Sequence, residues 1–337
     1  MNVLRKLKRL RPAALLGIDG QSQILNDRFR EVTAALDNQS RLLNDKLGQL
    51  IEAVNGQRQS AAFRADNLAS ALDAVCALAT TPKLAAVAFD RVLRDVVRRY
   101  HHSVSWGDRL LTLDKSAAFR DEPTFVAALE KADSGTGANL YESPDGISWR
   151  YNTLIWAARV CLELPGDFVE CGVFRGDMSW MITQSVDLRG SGKKFFLYDT
   201  FTGFDSRYST AEDFPESPGL FAFLQSQYGD PDIEHHVRRR FCDAPYVIVV
   251  KGVVPDILHR ISPDRIAFMH LDMNSARAEL GALEVLFDRV VAGGIIIFDD
   301  YGWKEHHRQK EAADAFMGAR GLAILELPTG QGMAIRR

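Results

Sequence analysis

The chain has 337 residues, 46% of them hydrophobic and 25% charged, proportions of an ordinary globular protein that argue against wholesale disorder, collagen-like repeats or a membrane-spanning bundle. Its 41 Lys and Arg are set against 44 Asp and Glu for a net charge of -3, so the broad basic field on which nucleic-acid binding rests is missing and no nucleic-acid partner is expected. Four cysteines, Cys76, Cys161, Cys171 and Cys242, stand apart with no CxxC pair, which speaks against a disulfide framework or a structural zinc site and fits a reducing cytosol.

Arg5, Lys6, Lys8, Arg9 and Arg11 make a cationic start, followed by a short mixed run from Pro12 to Ile18. That run is too short for a membrane span and lacks a signal-peptide cleavage site, so no export is expected. Val3, Leu4, Leu7 and Leu10 interleave with the charges at helical spacing. Residues 1–12 therefore fit either a short helix on an anionic membrane surface or a frayed, solvated end. The expected location is the cytoplasm, with peripheral contact at the inner membrane face on the first of these readings.

Residues 21–76 contain no proline and repeat Leu25, Phe29, Val32, Leu36, Leu43, Leu47, Leu50 and Val54 at three-four spacing. Such a seam predicts a coiled coil that makes a homo-oligomer, or a helical hairpin broken near Asn55-Gly56 and folded back within one chain. From Lys83 to about Lys131 the pattern stays helical, loosening between Thr112 and Asp121. Asp133 to Asn139 reads as a loop. A helix is predicted from near Trp149 to Leu162, stopped by Pro165-Gly166.

After Gly166 short apolar runs alternate with amphipathic helical segments. The runs are Phe168 to Val173, Lys194 to Asp199, Tyr246 to Val250, Ile266 to Leu271, Gly294 to Phe298, Leu322 to Leu327 and Met333 to Ile335. This rhythm predicts an α/β fold: a doubly wound, mostly parallel sheet covered by helices on both faces. The last two runs are joined by Pro328 to Gly332, short enough for an antiparallel hairpin at one edge. Ligands of such sheets bind beyond the carboxyl ends of the strands, so the informative residues are those that end strands.

The first strand ends in Glu170-Cys-Gly-Val-Phe-Arg-Gly176, a glycine-containing turn opening a helix near Asp177. It is not a GxGxxG turn, because Phe174-Arg175 stand where a pyrophosphate needs bare backbone. The second strand ends at Asp199, placed to accept hydrogen bonds from ribose hydroxyls or to cap the following helix. Thr200 to Phe204 adjoin it and would pack on an adenine or cover the pocket. The fourth strand ends in His270-Leu-Asp-Met-Asn274 and the fifth in Phe298-Asp-Asp-Tyr-Gly302. Neighbouring strands lie about 4.8 Å apart, so Asp272 can converge with Asp299 and Asp300. Three such carboxylates would be reconciled by Mg²⁺, or by one capping a helix while another pairs with Lys251 or Lys304.

With these strand ends in view, the chain from about Asp145 onward resembles the macrocin O-methyltransferase family, through Gly166 to Gly176, Leu197 to Phe204, His270 to Asp272 and Gly293 to Gly302. The resemblance implies a class I, Rossmann-like methyltransferase domain with a seven-stranded sheet, dependent on S-adenosylmethionine and Mg²⁺ and acting on sugar hydroxyls. It implies cofactor contacts from Glu170, Gly172, Arg175, Gly176, Asp199 and Thr200, and metal contacts from Asp272, Asp299 and Asp300. Asn274 departs from the family, which often has a second aspartate there; an amide can orient a water but cannot act as a carboxylate base. Asp272 is then the candidate base, with His307 or its neighbour His306 as rival.

The expected organisation is a helical, coiled-coil segment over 1–80, a helical linker and acceptor-site cap over 81–148, and the methyltransferase domain over 149–337. The expected acceptor is a sugar or glycosylated product, such as a bacterial surface glycan or glycolipid. A catechol-like phenol, or a scaffold built on a degenerate domain, are the alternatives.

Overall fold

The computed structural model describes residues 102–108, 110–136, 146–215 and 217–337. The chain divides into the units Met1–His102 and Ser103–Arg337, and everything below concerns the second. The predicted coiled-coil seam, the cationic start and the helical run from Lys83 fall outside the described residues. No described helix is long and apolar enough to cross a membrane.

Seven strands form one sheet in the order β5-β4-β3-β6-β7-β9-β8. They are β3 (Asp167–Cys171), β4 (Phe195–Asp199), β5 (Val247–Lys251), β6 (Ile266–Leu271), β7 (Val290–Phe298), β8 (Leu325–Glu326) and β9 (Gly332–Ile335). The pairs β3·β4, β4·β5, β3·β6 and β6·β7 are parallel, while β9 runs antiparallel to both β7 and β8. The chain winds outward from β3 to β5 and then starts again at β6 on the other side, so the switch point lies between β3 and β6. All seven predicted runs are strands of this sheet; the run from Leu322 shrinks to Leu325–Glu326.

Two apolar layers enclose the sheet, and the alternation of side chains along each strand decides which residue enters which layer. Val169, Cys171, Tyr198, Met269, Leu271, Ile296 and Phe298 pack with the helices Ala276–Leu286 and His307–Gly318. Phe168, Phe195, Leu197, Phe268, Ile295 and Ile297 pack with the helices Ser148–Cys161, Asp177–Ser185 and Ile233–Arg240. Every residue of β6 is buried, as expected of a strand covered on both faces. Ser275 ends the β6 turn by capping the next helix, its hydroxyl accepting from the Ala278 N–H.

Two elements depart from the helical linker expected over 81–148. β1 (Val104–Gly107) and β2 (Leu110–Leu113) form an antiparallel hairpin, most of it upstream of the expected loosening, where the pattern predicts helix. Asp108, with φ of 52°, takes the left-handed conformation at its tip. The helix Pro123–Thr136 also continues through Asp133, where polarity and glycine suggested a loop. It is anchored upstream, with Phe125, Ala128 and Ala132 packing against Tyr151, Ile155 and Met181.

Candidate active site

Beyond the carboxyl ends of β3, β4 and β6 lies an open cleft. Gly172 and Phe174 form its floor, Asp199, Thr200 and Phe204 one wall, and Asp272 to Asn274 the other. Gly172 is there because two strand ends converge. With φ of 87°, it lies so close to β6 that a Cβ would fall 1.8 Å from the Asp272 carbonyl oxygen. The Gly172 N–H donates to the Tyr198 carbonyl, and the Asp272 N–H to the Cys171 carbonyl.

Asp199 holds the turn after β3 as well as facing the cleft. Its Oδ2 accepts the N–H groups of Val173 and Phe174, both at 2.8 Å, and its Oδ1 accepts that of Phe201 at 2.7 Å. A carboxylate has about four lone-pair directions, so three backbone donors leave room for one more hydrogen bond. The ribose contact expected from two hydroxyls is thus limited to one. The Thr200 hydroxyl donates to the Gly203 carbonyl at 2.5 Å and shapes the same loop.

Gly172, Asp199, Thr200 and Asp272 are therefore brought to one cleft, but three other expected cofactor residues are not. Glu170 alternates onto the helix-covered face of β3, where it is 1% exposed. It accepts from the Ser179 hydroxyl and lies 2.8 Å from His270 Nδ1. Arg175 lies 3.7 Å from Asp230 and over the Phe174 ring, and is not among the residues that line the cleft. Gly176, at φ 77°, caps the helix Asp177–Ser185 and faces the Phe241 ring.

Asp272 and Asp299 bring their ligand atoms within 4.8 Å of each other and of His270, a group that does not include Asp300, and an unexpected charge lies beside them. Arg150, on the helix Ser148–Cys161, donates from Nη1 to Asp299 Oδ2 and lies 3.5 Å from Asp300 Oδ1. Its guanidinium sits 5.0 Å over the Trp303 ring, with Nε 3.7 Å from Asp108 Oδ1. The alternative pairing with lysine is corrected: Lys251 bonds Glu234 at 2.7 Å, and Arg150 is the cation. Asp299 is further held by Gln331 Nε2 at 2.8 Å and faces His270 Nε2 at 3.5 Å. The Asp272 carboxylate has no hydrogen bond or ion pair from the described residues.

His307 is corrected too. Its Nδ1 lies 3.2 Å from the Lys304 carbonyl of its own turn, whereas the buried His306 faces Asp300 at 4.0 Å and packs edge-on against Phe214. The turn Lys304–His306 before the helix rotates one of two adjacent histidines inward, a distinction that spacing alone does not make.

Burial opposes the Arg150 charge, but Asp299, Asp300, Asp272 and Asp108 outweigh it and hold the guanidinium above its usual pKa. Burial would raise Asp299, yet Arg150, His270 and Gln331 hold it well below the usual carboxylate range. Asp272 goes the other way, pushed far up by burial and then by Asp299 and Asp300. Burial resists protonation of His270, but its bonds to Asp299 and Glu170 raise it to about 10.

The resemblance implies two groups here, S-adenosylmethionine and Mg²⁺. The cleft suits S-adenosylmethionine: a bare glycine at its floor, aromatic walls and one free acceptor on Asp199. The oxygen donors of Asp272, Asp299 and Asp300 suit Mg²⁺, and the unpartnered Asp272 shows that Arg150 alone does not satisfy the cluster. His270 comes within reach of Asp272 and Asp299, with ligand atoms within 4.8 Å of one another, but a nitrogen donor is foreign to Mg²⁺.

The profile of the Macrocin-O-methyltransferase (TylF) family matches residues 155–325. No curated protein sequence gives a significant match. Among solved structures, the O-methyltransferase NovP aligns at 21% identity over 58% of this chain and 81% of its own, with a TM-score of 0.48. The calicheamicin methyltransferase CalS11 aligns at 16% over 66% and 93%, with a TM-score of 0.41. The SAH-bound methyltransferase PaMTH1 of Podospora anserina aligns at 15% over 74% and 94%, with a TM-score of 0.42.

Proposed function

The chain belongs to the macrocin-O-methyltransferase family and is an O-methyltransferase using S-adenosylmethionine, and from that premise we propose that it methylates a hydroxyl of a sugar or glycosylated product in a Mg²⁺-dependent reaction. The observation that carries this reading is the meeting of the cleft with the acidic cluster at Asp272, which belongs to both.

Methyl transfer needs a nucleophilic oxygen in line with an electrophilic methyl group, so alignment and deprotonation are the protein's tasks. Bound at Asp272, Asp299 and Asp300, Mg²⁺ would supply the charge that lowers a hydroxyl's pKa and fixes its direction. Gln331 and His270 orient the Asp299 carboxylate. Asp272, unpartnered and lining the cleft, is placed to receive the acceptor's proton. Asn274 cannot do so; its amide donates to the Tyr228 hydroxyl at 3.3 Å and steadies that wall. Phe174, Phe204 and Tyr228 pack edge to face and keep water from the methyl group.

The N-terminal segment is proposed to oligomerise the chain, to cover the acceptor and to bring residues 1–12 to an anionic membrane surface from the cytoplasmic side. A surface glycan or glycolipid acceptor would suit that arrangement. Light scattering on the full chain tests the oligomer: a monomer removes it.

The enzyme test is release of S-adenosylhomocysteine with sugar nucleotides, glycosylated products and catechols offered in parallel. Turnover is expected with a glycosylated acceptor only, lost on chelation and restored by Mg²⁺. Asp272→Asn is expected to lower kcat on the order of 100-fold or more. Turnover confined to catechols would replace the sugar reading, and a protein that binds no S-adenosylmethionine would be a scaffold.

A further inference from the structure

Arg150 is held between two sets of carboxylates. On one side it bonds Asp299 and approaches Asp300; on the other, its Nε and Asp108 Oδ1 face each other at 3.7 Å. This second pair is not closed, for both atoms are buried and neither has a hydrogen-bond partner. Asp108 is itself fixed at the hairpin tip. It is 4% exposed, its Oδ2 accepts the Trp149 N–H at 2.7 Å, and its own N–H donates to the Gly146 carbonyl at 2.9 Å. Unmade bonds between buried complementary atoms are costly, and a closure of about 1 Å would bring this pair to charge-assisted hydrogen-bond length.

Asp299 is already engaged on both oxygens, with Arg150 on Oδ2 and Gln331 on Oδ1, which His270 Nε2 faces at 3.5 Å. A divalent cation drawing on Asp299 Oδ2 and Asp300 Oδ1 meets the Arg150 charge that already faces both oxygens. Gln331 carries no charge to be repelled, and His270 is already bonded to Glu170. Arg150 carries a charge that a cation repels, and unlike His270, whose second carboxylate is already bonded, it has an open one in reach at Asp108. The Trp303 ring beneath its guanidinium offers a flat surface along which to move.

We infer that Arg150 is a displaceable counter-ion: it neutralises Asp299 and Asp300 in the metal-free protein and yields them to a divalent cation by closing onto Asp108. This rests on the Mg²⁺ reading of the acidic cluster. Asp108 then acts as a positioning residue, linking the hairpin β1·β2 to the state of the metal site.

A double-mutant cycle on metal affinity tests this in the full chain, with free Mn²⁺ read by its electron paramagnetic resonance and folding checked by near-ultraviolet circular dichroism. Arg150→Met should tighten Mn²⁺ binding about tenfold and Asp108→Asn should weaken it about tenfold, while Asp108→Asn should change affinity by no more than about twofold once Arg150 is Met. An unchanged affinity in Arg150→Met overturns the proposal. So does an equal weakening by Asp108→Asn in both backgrounds, which would make Asp108 a mere distant charge. If none of the four proteins binds Mn²⁺, the metal reading itself falls and takes this one with it. Binding by all four with equal affinity leaves the metal in place and removes only the displacement.

Discussion

Asp199→Ala is expected to abolish measurable S-adenosylmethionine binding, an affinity loss of at least about 100-fold or 2.7 kcal/mol. The expectation follows from the carboxylate's two tasks. It presents a carboxylate acceptor to the cleft, and it gathers the N–H groups of Val173, Phe174 and Phe201 that shape the floor and wall. A hydrogen bond to a charged group is worth about 1.5 to 3 kcal/mol, and the orphaned backbone donors would be free to rearrange the turn. Asp199→Asn separates the tasks. Its oxygen still accepts from one side of the turn, but its NH₂ meets the N–H groups on the other, so an intermediate loss is expected. Calorimetric titration of both variants, with melting curves to confirm the fold, decides the matter. Wild-type affinity in Asp199→Ala would place the cofactor elsewhere.

The β-sheet was legible because its physics is repetitive. Strands buried on both faces must be apolar throughout, as Ile295 to Phe298 are, and the chain must mark each turn with glycine, proline or a capping group. Strand ends were legible for the same reason: Asp199, Asp272, Asp299 and Asp300 each break an apolar run at the point where a doubly wound sheet binds its ligand. What could not be read was pairing across the fold. Arg150 lies 149 positions from Asp299, and no local pattern links the two. A weak signal existed, since Arg150 stands one helical turn before Leu154 on the face that buries Leu154, Ile155 and Ala158. A charged residue on such a face requires a buried partner. Glu170 departs from the contact that the resemblance implies, because strand alternation sends it under the helix toward Ser179 and His270. The hairpin β1·β2 escaped notice because strands of four residues carry little periodicity, and Leu110, Leu111 and Leu113 continue the apolar texture of the preceding helical run.

Gly172→Ala should produce the largest loss of stability of any single-methyl change near the site. A Cβ there would lie 1.8 Å from the Asp272 carbonyl oxygen and 2.5 Å from its carbon, both backbone atoms of the neighbouring strand end. No side chain can swing aside to relieve that overlap. The position also has φ of 87°, a conformation that costs an L-residue about 1 to 3 kcal/mol before any contact is counted. Overpacking against rigid neighbours adds a similar amount, so a total of about 3 kcal/mol or more is expected. At about 2 to 4 °C per kcal/mol for a domain of this size, Tm should fall by roughly 6 to 12 °C. The functional effect should exceed the thermal one. Relief of the overlap must push the β3 and β6 ends apart, moving Asp272 away from Asp299 and pulling Val173 and Phe174 off Asp199. S-adenosylmethionine binding and metal-dependent turnover should therefore both disappear at temperatures where the variant remains folded. Gly192→Ala serves as the control, because it too has positive φ, of 70°, but nothing lies within 4 Å of its Cβ position. Backbone strain alone would lower both melting temperatures alike. A selective loss of binding in Gly172→Ala would show that the close approach of the two strand ends is what builds the site.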